Sequence, residues 1–317
     1  MVGLSALLAV LAAALVLAQP DRLAWLLMFP RWVWLGPGCV LLLLGRSAPR
    51  RWLGIAALLW GLYAGLFVEE GASLARLGLQ KIGLRAAVAG DLRVVSLNCG
   101  SRSERAVDEA LAWQPDLLCL LECPGRPQLE TLVRSRPEEW SIAAGPDAAI
   151  LARGRLTVRQ QSARGVWIWA TWHRAADHPA AGDIEVVSLR LHPVPIRLDP
   201  WSGDCWESHA RIREIHRQEI DELLTALEAA PADARFLICG DFNAPAGDRG
   251  LDALRKVARD SFHDGGVGWG NTILNDFPVH RIDQVWISPH IEARRVWARK
   301  SSTSDHRAAI ADLSLQR

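Results

Sequence analysis

Apolar positions follow two different patterns along this chain. From residue 2 to residue 68 they run almost without a break, as residues 2–18, 23–44 and 52–68. The main interruptions are Pro20-Asp21-Arg22, Pro30-Arg31, Gly36-Pro37-Gly38 and the basic stretch 46–51, and Glu69-Glu70 closes the third run. Beyond Asp91 the apolar residues come in short blocks bounded by Gly, Pro, Asp and Asn, the pattern of strands and turns. Runs of 17–22 apolar residues match the hydrocarbon thickness of a bilayer. Trp25, Trp32, Trp34, Trp52, Trp60 and Tyr63 would supply an interfacial aromatic belt. Arg31 is costly at a bilayer centre, which shortens the second span to about 32–44, after an interfacial segment 23–29. Residues 1–70 are therefore expected to be a transmembrane region of about three helices, 71–90 a linker that is mildly amphipathic over 74–85, and 91–317 a soluble domain.

The first run could instead be a signal peptide, but it has no basic start and two further apolar runs follow it. Arg46, Arg50 and Arg51 form the most basic short loop, which the positive-inside rule places in the cytoplasm. Following the chain through the third span then puts everything after Glu70 on the non-cytoplasmic side. The expectation is a multi-pass membrane protein with an external domain.

Within that domain, residues 92–98 read as a strand, 104–113 as a helix and 117–122 as a second strand, so the two strands should be parallel neighbours. Further strands are expected at 148–151, 156–160, 166–173, 184–191, 236–239, 281–288, 296–298 and 308–313. Helices are expected at 210–229 and 251–257, a long polar loop at 193–208, and a flexible turn at 265–270.

Polar residues then gather at strand termini. Phe236-Leu237-Ile238-Cys239 is a buried strand that turns at Gly240, and Asp241 and Asn243 point the same way at period two. An isolated Asp-x-Asn also suits an Asx turn. Here, however, Asn98, Glu122, His192, Asp283, Asp305 and His306 also sit at strand ends, where α/β folds place ligands. Oxygen donors with few nitrogens suit Mg²⁺ or Mn²⁺ better than zinc. Such an ion polarises a phosphoryl oxygen, and a His–Asp pair can take a proton from attacking water. The set predicts metal-assisted hydrolysis of a phosphodiester or phosphomonoester.

The ordered segments Ser96-Leu-Asn98, Leu120-Leu-Glu122, Leu189-Arg-Leu-His192, Gly240-Asp-Phe-Asn243, Arg281-Ile-Asp283 and Ser304-Asp-His306 resemble those of the endonuclease/exonuclease/phosphatase superfamily over residues 91–317. The resemblance implies a four-layer α/β/β/α sandwich, two packed β-sheets flanked by helices. It implies Glu122 as the main metal ligand, with Asn98 beside it and Asp305 contributing. It implies that Asp241 orients or activates the water, that Asn243 holds the scissile phosphate, and that His192 serves the transition state or leaving group. His306 would be the general base, with Asp305 pairing with or positioning it, and Asp283 resembles the aspartate that orients the site histidine. Two positions depart from the family pattern: Leu121 precedes the glutamate where Gln or Asn is usual, and Arg307-Ala308 follows the last motif where Pro is usual.

Charge narrows the substrate only a little. Residues 1–90 hold eight Lys/Arg against three Asp/Glu, which leaves the remainder at net −4. An acidic domain lacks the clustered cations of a broad nucleic-acid grip, although a narrow basic groove would serve. Nucleic acid and lipid head group both stay open as substrates, with Trp201 and Trp206 placed to insert into lipid or stack on bases. The six cysteines lack a second Cys/His pair at zinc spacing and read mostly as small buried hydrophobes. A non-catalytic binding module would be expected to lack acids or histidines at the motif positions, and none is missing. A serine-nucleophile hydrolase would need a Gly-x-Ser-x-Gly elbow, which the chain does not contain.

Overall fold

The computed structural model describes residues 1–82, 90–136, 139–174, 182–231 and 233–315. The long apolar runs are helical: α1 (Val2–Ala18), α2 (Ala24–Leu27), α3 (Leu35–Leu44), α4 (Arg50–Phe67) and α5 (Glu69–Lys81). Helices α1, α3 and α4 form a small bundle in which Ala9, Ala12 and Val16 pack on Trp60 and Tyr63. Ser5 Oγ donates to the Gly38 carbonyl and accepts from Trp60 Nε1, both at 3.0 Å. A Cβ on Gly38 would stand 2.2 Å from the Trp60 ring, so this crossing requires glycine. Outward faces stay apolar, with Leu4, Leu7, Leu11, Leu43, Leu58 and Leu66 exposed.

Among the described residues no single helix is long and apolar enough to cross a membrane. Two pairs pass on length and composition together, 21–27 with 31–44 and 50–67 with 69–81, each bent by 78°. The first bend falls at Pro30, where proline ends one helix and starts the next. The second falls at the extended residue Val68. The expected linker is thus helical as far as Lys81, and residues 83–89 of it lie outside the described residues.

The remaining chain runs β1 (Leu92–Asn98), α6 (Glu104–Ala112), β2 (Leu117–Leu121), α7 (Arg126–Arg134), β3 (Trp140–Ala144), β4 (Ala148–Arg153), β5 (Arg155–Gln161), β6 (Trp167–His173), β7 (Asp183–Arg190), α8 (Gly203–Leu227), β8 (Phe236–Asp241), β9 (Arg259–Asp260), α9 (Ser261–Gly265), β10 (Asp283–Ile287), β11 (Ile291–Arg299) and β12 (Ala308–Leu315). One sheet has the order β11-β12-β1-β2-β4-β3 and the other β5-β6-β7-β8-β10-β9. Only β1–β2 and β7–β8 are parallel among the paired strands described. Leu92, Val94, Leu117 and Ile150 of the first sheet meet Ile168, Val186, Leu237 and Val285 of the second in a buried core. Helices α6 and α7 cover the outer face of the first sheet, and α8 covers that of the second. The four-layer sandwich is the fold.

Several elements differ from the sequence reading. Helix α8 starts at Gly203, inside the expected loop, because Cys205 and His209 turn inward while the polar residues around them face out. The expected helix at 251–257 is two 3₁₀ turns (Arg249–Leu251 and Leu254–Lys256), the first started by the Asp248 carboxylate accepting from Gly250 N at 2.7 Å. The supposed flexible turn at 265–270 is tightly packed: a Cβ on Gly270 would lie 2.1 Å from the Phe262 ring.

The bundle docks end-on against the sandwich. Gln19 Nε2 donates to the Gly247 carbonyl at 2.7 Å, and Arg249 Nη1 donates to the Ala18 carbonyl at 2.9 Å. Arg281 is buried between Asp260 at 2.6 Å and Glu69 at 2.9 Å, while Asn271 Nδ2 donates to Glu70 at 3.0 Å. A cavity of about 70 Å³ lies in this junction, between residues such as Arg31, Glu69 and His280.

Candidate active site

Topology brings the polar strand ends together. Parallel pairing of β1 with β2 aligns Asn98 with Leu121, so Glu122 emerges beside Asn98. Strand β12 runs antiparallel to β1, which returns His306 to the same edge. In the second sheet Asp283 opens β10 directly opposite Asp241 at the close of β8. The parallel β7 ends at Arg190, level with Asp241.

Asn98 is the hub. Its Nδ2 donates to Glu122 Oε1 and to Asp241 Oδ2, both at 3.1 Å, and its Oδ1 accepts from Gly100 N at 3.0 Å. Glu122 adopts φ +44°, a left-handed conformation that turns it out of the strand direction. Burial raises its pKa, but hydrogen bonds from Asn98 and Ser101 and the charges of Arg190 and His306 outweigh that and hold it below the usual range. Arg190 reaches Glu122 at 2.6 Å and Asp147 at 2.9 Å.

Asp241 is buried, and burial together with the nearby Asp283 charge pushes its pKa up to about 7. Its Oδ1 accepts from Asn243 N at 3.0 Å. Asn243, at φ +48°, donates its Nδ2 to the Leu191 carbonyl at 2.8 Å and so fixes the chain just before His192. His306 Nδ1 donates to Asp283 Oδ2 at 2.8 Å. Burial opposes the charged imidazolium, but Asp283, Asp241 and Asp305 overcome it and raise the His306 pKa to about 10. Thr272 Oγ1 accepts from Asp283 N at 3.0 Å and fixes the start of β10.

The outcome for each expected residue is specific. Asn98, Glu122, Asp241, Asp283 and His306 converge, and Asn243 supports that group through the backbone. Asp283 makes the hydrogen bond to His306 that the resemblance left open to Asp305, because Asp305 is exposed and its Oδ1 lies over Gly100, where a Cβ would meet it at 2.9 Å. Asn98 turns its NH₂, not its carbonyl oxygen, toward the carboxylates. His192 has an exposed ring on an anchored backbone: its N–H donates to Glu219 at 3.0 Å and its carbonyl accepts from His216 Nε2 at 2.7 Å. Sequence reasoning passed over Arg190, Asp147, Thr272, Glu219 and His216. Arg190 was open to discovery, since it shares a strand side with His192 at period two.

Donor chemistry fits a hard cation. Asp241, Asp283 and His306 offer ligand atoms within 4.8 Å of one another, and buried Asp283 Oδ1 has no hydrogen-bond partner among the described residues. Asp283 is already committed to His306, however, and is fully buried. Mg²⁺ and Mn²⁺ keep waters, which favours the partly exposed Glu122 as the holding carboxylate.

Two face-to-face sheets flanked by helices, with this His–Asp pair and these carboxylates at one edge, define the phosphoesterase fold. The model of the Endonuclease/Exonuclease/phosphatase family matches residues 95–306, more than half of the chain, and the chain belongs to that family. Solved structures show the same fold. An endonuclease/exonuclease/phosphatase from Bacteroides vulgatus aligns with TM-score 0.56 at 14% identity, over 71% of this chain and 99% of its own. A mannosyl-6-phosphatase from Bacteroides thetaiotaomicron aligns with TM-score 0.51 at 15% identity, over 70% and 99%. A humanized D. rerio TDP2 aligns with TM-score 0.50 at 14% identity, over 70% and 98%. No curated protein sequence matches the chain.

Proposed function

We infer that this protein is a Mg²⁺- or Mn²⁺-dependent phosphoesterase, held at a membrane by residues 1–70, with the sandwich on the non-cytoplasmic side. One observation carries the chemistry: the buried Asp283–His306 pair faces Asp241 and the Asn98–Glu122 pair across the two sheet edges. Asp283 holds the Nδ1 proton, which leaves His306 Nε2 as the atom that exchanges a proton in the cleft. Asp241, oriented by Asn98 and Asn243, accepts from the attacking water and aims it. His192 can donate to the departing oxygen from its anchored backbone. Glu122 would hold the cation, which supplies positive charge at the phosphoryl oxygens and opposes the protonation that crowded carboxylates favour at His306.

The membrane reading is supported by the outward apolar faces of α1, α3 and α4. Their far end carries the basic stretch with Arg46, Arg50 and Arg51, and their near end meets the sandwich, so cytoplasmic basic residues would leave the sandwich outside.

The purified full chain should hydrolyse bis(4-nitrophenyl) phosphate in Mg²⁺ or Mn²⁺, lose that activity in EDTA, and regain it on adding the metal back. Asp241→Ala and His306→Ala should each cost about 10²–10⁴-fold in kcat. Turnover unchanged in either variant would sink the assignment.

A further inference from the structure

Among the described residues of the sandwich, seven large apolar side chains are exposed, and five of them lie on two loops. Ile196, Leu198 and Trp201, at 81, 66 and 83% exposure, follow His192 on the way to α8. Leu274 and Phe277, at 50 and 72%, precede β10. Both loops start from the site. His192 opens the first. In the second, Ile273 bridges to His306 and Asn275 N donates to the Asp305 carbonyl at 2.7 Å. Exposed apolar residues scattered singly are ordinary, whereas a cluster at a site mouth marks a contact surface.

The segment between α1 and α3 joins these loops to the bundle. Trp25 Nε1 donates to the Arg197 carbonyl at 2.9 Å, and its ring lies 5.0 Å from that of Trp206. On the other side the Met28 carbonyl accepts from His280 Nε2. The Trp32 ring lies 5.8 Å from that of Trp269, tilted by 59°, and Trp269 Nε1 donates to the Pro278 carbonyl. Tryptophans therefore line the level at which the apolar bundle gives way to the polar sandwich, which is where they settle in a bilayer. The exposed loop residues neighbour these contacts along the chain: Ile196 and Leu198 flank Arg197, and Phe277 precedes Pro278.

We propose that the mouth of the active site opens onto the membrane surface, with Ile196, Leu198, Trp201, Leu274 and Phe277 inserted among lipid head groups. Its substrate is then an amphiphilic phosphoester anchored in that leaflet by its own hydrocarbon chain. The substrate half of this proposal rests on the phosphoesterase reading above. Nucleic acid fits the same mouth less well, since it needs clustered free cations. Arg197 is paired with Asp199, and Arg190 with Glu122 and Asp147.

The full chain in phosphatidylcholine nanodiscs tests the contact. In a Cys39→Ser background, where the other native cysteines are buried, Trp201→Cys and Phe277→Cys each carry an environment-sensitive dye. Val158→Cys on the outer strand β5 is the reference. Brominated phosphatidylcholine should quench the dye at 201 and 277 and leave 158 bright. Quenching at none of the three, or equally at all, overturns the proposal.

A second arm compares 4-nitrophenyl hexadecyl phosphate in phosphatidylcholine vesicles with soluble 4-nitrophenyl ethyl phosphate. The double variant Trp201→Ser/Phe277→Ser should keep its rate on the ethyl ester and lose on the order of tenfold on the hexadecyl ester. Equal effects on both esters would defeat the substrate assignment. If the unaltered chain hydrolyses neither of these diesters nor the monoester 4-nitrophenyl phosphate, the phosphoesterase reading fails, while the quenching still decides the membrane contact.

Discussion

The helical bundle and the sandwich place their large apolar side chains in opposite directions. In the sandwich, Leu92, Val94, Leu117 and Ile184 are shut between the sheets. In the bundle, the contacts between helices use Ser5, Ala9, Ala12, Gly38 and Ala56 around Trp60 and Tyr63, and many leucines face outward. Removal of hydrocarbon from water drives the first arrangement. The second gains little from that drive and depends on close approach of small residues and a few buried hydrogen bonds, as helices do in lipid. The two regions meet through charge: Arg281 lies two residues before Asp283, and its carboxylate partners come from both sides, Asp260 from the sandwich and Glu69 from the helical region.

The largest effect should come from inside the sandwich. Asp283→Asn removes the anion that holds His306, so kcat should fall about 10²–10⁴-fold. The His306 pKa should drop from about 10 toward the usual imidazole value, which a histidine titration by NMR would follow. The bundle should not respond, so its helical circular dichroism should match the unaltered chain.

Glu69→Ala acts on the boundary between the regions. It leaves buried Arg281 with Asp260 alone, which should cost about 1–3 kcal/mol, because a buried charge loses one of two partners. Limited proteolysis should then cut faster at the α4–α5 bend. An unaltered cleavage rate would mean that the junction is held by apolar contact and not by this ion pair.

The smallest effect should be a pH slope confined to the sandwich. Asp241 titrates near 7 when folded and near about 3.9 when unfolded. The cation-free fold therefore binds more protons than the unfolded chain between those values, and its stability should fall as pH rises across that window. His306 slopes the same way at higher pH: its contribution is complete below about 6.5 and is lost as pH rises through about 10. In EDTA, Tm should decline from pH 5 to 7, and Asp241→Asn should flatten that decline while leaving the slope above pH 7.

Much of this was legible along the chain because period and punctuation are local properties. The apolar runs at 2–18 and 52–68 fall on α1 and α4, and the blocks at 92–98 and 117–122 fall on β1 and β2. Element limits failed where burial decided them: α8 extends back to Gly203 through a polar stretch because its inward face carries Cys205 and His209. Strand β3 was not anticipated, since it is largely half-buried at a sheet edge and lacks a strong apolar signature.

The sequence by itself determined which residue types carry the chemistry: a carboxylate, an amide or a histidine at the end of each apolar block, in an order that marks the family. It also determined that residues 2–68 are apolar beyond what a water-facing surface needs. Only the tertiary structure decided the partnerships. Antiparallel pairing of β8 with β10 sets Asp241 against Asp283, and that register assigns His306 to Asp283 and not to its chain neighbour Asp305. Arg190 became visible as the partner of Glu122 only when the two sheet edges met. Likewise, Trp201 stands out in the sequence as an aromatic of a polar stretch, but Ile196 and Phe277 do not, and only the fold starts their two distant loops from one site, at His192 and at the Ile273–His306 bridge.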